Sequence, residues 1–443
     1  MHFIPNFFYL NISASKAFQF HSLLRFCANV LLGIAFVKMG FGQALMGKYE
    51  WLMAVASMAT SFWVSGWLGV LPAQFSGLQT TLRRTYMLQI AGFLCVLAAI
   101  VAIVFGAMYG FTMGIFVFFS VISYLIEYCF LVKERGKLLV MYSLSSVFIL
   151  FLCGVMPFFL HKTPTLAAML QGVAAAAVCR FFLGAVLVLF SFLNPKTWRT
   201  TSWLRTQTSP TPQVYWKKHF WVALPLATSL VLGNVLDFYN LSLIKYELGD
   251  ADLAIFRYGA REMPLISLIA NAFSVAYSAN FAQKSLHEAC QTLKLRSQKL
   301  ILKLMPVSFV LLLTSHYIFP LVFNQSYERA ASVFNVFLLL GISRLVFPQT
   351  ILTGLQKNHI LLRAAVLELT VNGILAVILL YYYGILGVAW ATLAAFFIEK
   401  TYLICQIHRI YKLPPQTYIA TKPLLIWALL LFAAYFIAEL LLY

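Results

Sequence analysis

Stretches of eighteen or more predominantly apolar residues recur along the whole chain, and this feature leaves few folds open. Each stretch is long enough to cross a hydrocarbon layer of about 30 Å as a helix. No water is available inside that layer to satisfy backbone N–H and C=O groups, so helices and closed barrels are the structures that span it. A barrel would alternate polar and apolar positions over short segments, whereas runs such as Ala91 to Phe105 are continuous. Charged residues make up 10% of the 443 positions and hydrophobic ones 62%. A soluble globular chain carries about a quarter charged residues. The sequence therefore predicts an all-α polytopic transmembrane helix bundle with about thirteen spans. They fall near 18–40, 52–76, 86–106, 110–132, 138–160, 166–192, 220–244, 253–282, 300–322, 330–354, 358–383, 385–406 and 420–442.

The formal charge of +19 would suggest a nucleic-acid partner in a soluble protein. In a membrane protein, Lys and Arg gather instead in the cytoplasmic connections. With a cytoplasmic N-terminus, one side collects Arg83 and Arg84, the Lys133–Lys137 turn, Lys196 to Lys218, Lys284 to Lys299, Lys357, Arg363, Arg409, Lys412 and Lys422. The other side holds Lys38, Lys48, Lys162, Lys245 and Arg329, with Glu247, Asp250 and Asp252. A wrong span count would scramble that bias. The expected setting is a membrane, with lipids as surroundings and no nucleic-acid partner. The polar stretch from Asn11 to Ser15 breaks up any compact signal-peptide core. The seven cysteines form no spaced pairs, so neither a disulfide framework nor a metal site is expected.

The longest hydrophilic break runs from Asn194 to Lys218 and is rich in Thr, Pro and basic residues. It divides the chain into a six-helix bundle over 1–193, a basic cytoplasmic linker over 194–218, a second six-helix bundle over 219–412 and an extra span over 413–443. An even number of spans per half gives both halves the same orientation, the arrangement of parallel repeats with a substrate site at their interface. Pro72 and Pro264 interrupt the second span of each half, and such prolines bend helices that line cavities. The Lys284–Lys299 segment reads as a basic amphipathic helix lying on the cytoplasmic surface.

Ionisable residues inside apolar spans cost roughly 2.5–3.5 kcal/mol each at a helix centre, so they face a cavity or a partner. Those singled out are Arg25, Glu127, Arg180, Asp237, Arg257, Arg261, Glu262, Arg344, Glu368 and Glu399. Arg25 sits close to a span end, where headgroup anchoring is the default. Arg keeps its charge when desolvated and grips phosphate oxygens with a planar fork. Arg257, Arg261, Arg344 and Arg180 are therefore candidate ligands of an anionic, phosphate-bearing substrate. In the eighth span Arg257, Arg261, Pro264, Leu268, Asn271, Val275 and Ser278 follow a three-to-four-residue spacing. On a continuous helix they form one stripe, with Asn271 placed to bond a sugar. A second reading pairs Arg257 or Arg261 with Asp237. Asp237, Glu127, Glu262 and Glu368 are candidate proton or sodium sites, because a buried carboxylate takes up a proton more readily. No phosphate-binding loop, dinucleotide fingerprint or zinc-protease motif is present, so no cofactor is implied. The Asp250–Asp252 pair is the one hint of a glycosyltransferase.

Four segments carry a resemblance. They are SFWVSGWLGVLPAQF at 61–75, FRYGAREMPLISLIANAFSVAYSANFA at 256–282, YERAASVFNVFLLLGISRLVFPQTILTGLQK at 327–357 and YYYGILGVAWATLAAFFIEK at 381–400. Through them, over roughly 20–410, the chain resembles polysaccharide-exporter oligosaccharide flippases (Wzx type) of the multidrug/oligosaccharidyl-lipid/polysaccharide exporter superfamily. The resemblance implies a non-enzymatic transporter. Its substrate would be an undecaprenyl-pyrophosphate-linked oligosaccharide, moved by alternating access alongside glycan-assembly enzymes. Members commonly have twelve or fourteen spans, and thirteen departs from both. The alternatives are an ion-coupled drug or cation antiporter of the same superfamily, which would favour acidic groups over arginines, and a membrane polymerase of glycan assembly.

Overall fold

Nearly every described residue of the computed structural model is helical. It describes residues 14–75, 80–132, 135–161, 165–193, 232, 234–261, 264–278, 281 and 285–440. The basic linker at 194–218, the start of the seventh span and Glu262 lie outside them. In chain order the helices begin with α1 (Ala14–Lys38), α2 (Gln43–Phe75), α3 (Thr80–Tyr109), α4 (Phe111–Val132), α5 (Gly136–His161) and α6 (Leu166–Leu193). Then come α7 (234–247), α8 (Asp250–Gly259), α9 (Pro264–Ser278), α10 (Leu286–Val322) and α11 (Glu328–Arg344). The last are α12 (Pro348–Gly354), α13 (Asn358–Tyr383), α14 (Ile385–Tyr411) and α15 (Thr421–Leu440). Among the described residues nine helices are long and apolar enough to cross a membrane, or ten if one bent pair counts as a single span. Large apolar side chains such as Ile103, Phe148, Phe190 and Leu429 point outward, which suits a hydrocarbon solvent. The chain is a multi-pass helical membrane protein.

Two compact units emerge. The first comprises Met1–Gly40 and Leu52–Asn234; the second comprises Phe41–Trp51 and Val235–Tyr443. The chain therefore leaves the first unit before α2, and α2 itself starts in the second unit and continues into the first. Within the first unit α1 packs on α5, α4 on α3 and α6, and α5 on α6. In lipid such contacts rest on close approach rather than on exclusion of water, so small residues sit at the crossings. A Cβ on Gly172 would meet the Cys153 carbonyl of α5 at 2.8 Å, and one on Gly114 would meet the Ala102 carbonyl of α3 at 2.6 Å.

The second unit is built around α11, which touches α8, α9, α10, α14 and α15. Ala330, Ala331, Val333, Asn335, Val336 and Leu339 are fully buried along it. Glu328 stands in its first turn and Arg344 in its last, each matching the helix dipole. A Cβ on Gly387 would lie 1.9 Å from the Leu379 carbonyl, so the α13–α14 hairpin closes only around glycine. The C-terminal α15 docks on α10 and α11. There Glu439 accepts hydrogen bonds from Asn335 Nδ2 at 2.7 Å and His316 Nε2 at 3.1 Å.

Three expected elements change shape. The eighth span is not one helix: α8 ends at Gly259 and α9 begins at Pro264. Proline at a helix start loses no hydrogen bond, so Pro264 opens a new helix instead of bending an old one. The tenth span is likewise two pieces, α11 and α12, bent by 46° with Pro348 at the restart. The predicted surface helix at Lys284–Lys299 is instead the first part of α10, a single helix of 37 residues. At 1.5 Å per residue that is about 55 Å, far beyond the hydrocarbon thickness. Its early turns are held by the α14–α15 connection, where Lys294 Nζ donates to the Gln416 carbonyl at 2.7 Å and Tyr418 is buried.

Candidate functional site

The arginine pair of the second unit converges on an acid from α2. Glu50 is 4% exposed; Arg261 Nη2 donates to its Oε1 at 2.6 Å, and Arg257 Nε reaches its Oε2 at 3.4 Å. The local sequence builds this contact. Gly47 lets α2 come so near the first turn of α8 that a Cβ there would overlap the Asp250 carbonyl. Glu50 follows Gly47 by three residues and so lies on the same face of α2. Arg257 follows Asp250 by two helical turns, and Arg261 reaches the same carboxylate from just beyond the α8 terminus. The Arg261 guanidinium lies 4.5 Å from the Tyr258 ring centroid. Tyr258 is itself packed against Phe323 and Tyr327 at centroid distances of 5.0 and 5.6 Å. Two cations against one carboxylate leave the cluster with a surplus positive charge. Among the described residues Arg261 Nη1 has no hydrogen-bond partner, and Arg257 is 35% exposed.

Other expectations for this region change. Arg257 and Arg261 pair with Glu50 where the sequence offered Asp237. Because the helix breaks after Gly259, the stripe from Arg257 to Ser278 is not continuous, and Asn271 belongs to the separate helix α9, where it is exposed. Asp250 pairs with Lys245, and Asp252 with Arg329 Nη1 at 3.1 Å. Both carboxylates of the Asp-x-Asp pair therefore already face cations. Trp51, the next residue after Glu50, stacks on Phe238 at 5.3 Å and packs edge-on against Tyr246.

The first unit repeats the same chemistry around Glu127, which is 1% exposed on α4. Arg25 Nη1 donates to its Oε2 and Arg180 Nη2 to its Oε1, each at 3.2 Å. His21 Nε2 lies 3.1 Å from Oε2, and His21 Nδ1 is 2.8 Å from the Ser143 hydroxyl. Arg25 also lies over the Tyr124 ring at 4.4 Å. The structure thus gives Arg25 a buried acid where the sequence suggested a headgroup anchor. It also brings Glu127 and Arg180, expected as an ion site and a substrate ligand, into one cluster.

A third polar group lies in the second unit. The Thr392 hydroxyl accepts from Asn240 Nδ2 at 3.1 Å and Asn372 Nδ2 at 3.2 Å, and donates to the Val388 carbonyl at 2.9 Å. All three side chains are buried. Among the described residues Oδ1 of Asn240 and Oδ1 of Asn372 have no hydrogen-bond partner. Asp237 precedes Asn240 by three residues on α7, and Glu368 precedes Asn372 by four on α13, so each acid shares a helix face with one of the amides. Glu368 is within electrostatic reach of Glu399, Lys400, Arg344 and Asp237. Lys400 Nζ bonds Glu399 at 3.0 Å and Gln349 at 3.2 Å. Arg344, at the end of α11, lies 4.4 Å over the Phe396 ring and is remote in the chain from Arg257 and Arg261.

The fold these helices make is similar to that of several solved membrane transporters. The lipid II flippase MurJ, in an inward closed conformation, superposes with a TM-score of 0.59 at 13% identity, over 96% of this chain and 98% of that one. The Vibrio cholerae MATE transporter VcmN, as a point mutant, gives 0.59 at 12% identity over 90% and 95%. A MOP superfamily transporter from Pyrococcus furiosus, described as having a binding pocket of reverse polarity, gives 0.57 at 14% identity over 91% and 98%. No family profile matches the chain, and no curated protein matches its sequence.

Proposed function

We propose that this chain is a transporter that moves an undecaprenyl-pyrophosphate-linked oligosaccharide across a bacterial inner membrane, with its N-terminus in the cytoplasm, by alternating access. The observation that carries the reading is the arginine pair around Glu50, which holds more guanidinium donors and more positive charge than one carboxylate can use. A diphosphate presents several charged oxygens and suits a pair of forked donors better than a point anion does. The Glu127 cluster, with Arg25 and Arg180, has the same surplus and serves as a second anion-attracting group. The flippase among the structural neighbours handles lipid II, by its own description, which makes a lipid-linked glycan a fitting substrate class for this fold.

The Oδ1 atoms of Asn240 and Asn372, oriented by Thr392, with Asp237 and Glu368 on the same helix faces, supply the coupling. Uncharged and carboxylate oxygens together favour a hard cation, and a buried carboxylate takes up a proton more readily. Glycan-assembly enzymes are the expected partners. The same acids favour a second reading, an ion-coupled drug or cation antiporter, and one experiment separates the two. Deleting the gene in its host should leave complete lipid-linked units inside the cytoplasmic leaflet and remove the surface polymer. The wild-type gene should restore the polymer, and Arg257→Ala with Arg261→Ala should not. Normal surface glycan with altered dye or drug tolerance would instead select the antiporter.

A further inference from the structure

Glu50 stands where an anionic ligand of Arg257 and Arg261 would stand. It is a single carboxylate held by one nitrogen from each guanidinium, and the Arg257 contact is long, at 3.4 Å. Arg261 Nη1 is buried without a hydrogen-bond partner among the described residues, so this arginine does not present its full fork to Glu50. An anion with more oxygens and more charge would engage both guanidinium groups and neutralise the cluster better.

Glu50 is also one residue from the point where α2 passes from one compact unit to the other. Phe41–Trp51 belongs to the second unit, and Leu52 begins the long stretch of the first. Other contacts hold this segment in place: Gln43 bonds the Ser326 carbonyl, and Trp51 stacks on Phe238. Among the described residues, the ion pairs of Glu50 are the ones in this set that an anion at the arginines would compete with directly.

We propose that Glu50 is a built-in competitor for the anion seat of Arg257 and Arg261, and that a diphosphate displaces it and loosens the Phe41–Trp51 segment. The proposal rests on the reading that this arginine pair receives the diphosphate of the substrate. Occupancy of the seat is thereby reported to α2 at the boundary between its two parts. The seat also discriminates against weak, singly charged anions, because a ligand enters only if it outbids a carboxylate already in place.

The test uses the full-length protein in lipid nanodiscs and magnesium-free inorganic pyrophosphate as probe. Calorimetric titration of Glu50→Gln should give affinity roughly tenfold above wild type at equal pH and salt, and Arg261→Ala should abolish binding in both backgrounds. In the wild-type protein, saturating pyrophosphate should speed amide exchange over 41–51. This second readout decides the matter even where Glu50→Gln does not fold. Binding that requires Arg261 but is no tighter in Glu50→Gln, or unchanged or slowed exchange over 41–51, overturns the competitor role and leaves the anion seat standing. Absence of binding to wild type and Glu50→Gln alike, or binding indifferent to Arg261→Ala, overturns the anion seat as well.

Discussion

Glu127 and Glu50 show what a buried arginine demands of its surroundings. Arg25 and Arg180 meet at Glu127, and Arg257 and Arg261 meet at Glu50. Removing one member of such a buried cluster strands the others, a loss of about 3–5 kcal/mol. Glu127→Ala should accordingly lower the thermal midpoint of the purified protein sharply. Glu127→Ala combined with Arg180→Ala should lose less than the sum of the two single changes, because they share one interaction. Additive losses would mean that the pair is not coupled. Thr392→Val keeps the shape but deprives both Asn240 and Asn372 of their acceptor. It should abolish the cation dependence of transport while the pyrophosphate affinity of the arginine pair stays within about twofold, a difference of a few tenths of a kcal/mol. The arginines, Glu127 and Glu368 were legible as ionisable residues in apolar runs. Glu50 was not, because it follows Gln43, Lys48 and Tyr49 in what reads as a polar loop, yet α2 already starts at Gln43. Asn372 and Thr392 escaped because uncharged polar residues are common in membrane helices and only their meeting point with Asn240 marks them.

Among the elements, the predicted spans that fall on described residues overlap helices, since a bilayer dictates the length of an apolar run. The breaks do not follow from that length. Periodicity from Arg257 to Ser278 is uninterrupted in the sequence, and the stripe it suggests fails because the chain leaves the helix after Gly259. Pro264 and Pro348 mark both restarts, and a proline at a first turn is compatible with a new helix as readily as with a kink. The contact between α2 and α8 rests on Gly47. Gly47→Ala places a methyl group on the Asp250 backbone, where overpacking typically costs about 1–3 kcal/mol, and it should move Glu50 away from its arginines. Transport should fall with it. Gly92→Ala on α3, where a Cβ meets nothing within 4 Å, is the matched control and should leave both transport and thermal stability unchanged. Equal losses in the two variants would detach the close approach from function.

Over the whole molecule, the charge bias of the connections predicts which ends face the cytoplasm, and α10 gives that expectation a physical handle. Its early turns carry Lys294, Arg296 and Lys299 on a helix too long for the hydrocarbon layer. A cytoplasm-dependent reporter inserted after Lys412 should be active, and one inserted after Gly249 inactive; the reverse pattern would invert the topology. Composition made the helical membrane class legible, whereas the division of α2 between two compact units was not, because nothing in an apolar run marks where its packing partners change. The central claim is movement of a lipid-linked glycan, and its most direct measurement is leaflet exchange in proteoliposomes. A fluorescent prenyl-pyrophosphate-linked oligosaccharide, sealed in the inner leaflet, should become accessible to an externally added glycosidase when the wild-type protein and an ion gradient are present. Arg257→Ala with Arg261→Ala should slow that exposure to the rate of protein-free vesicles. Exposure by the wild-type protein no faster than in empty vesicles, or equally fast in the double variant, would contradict the account.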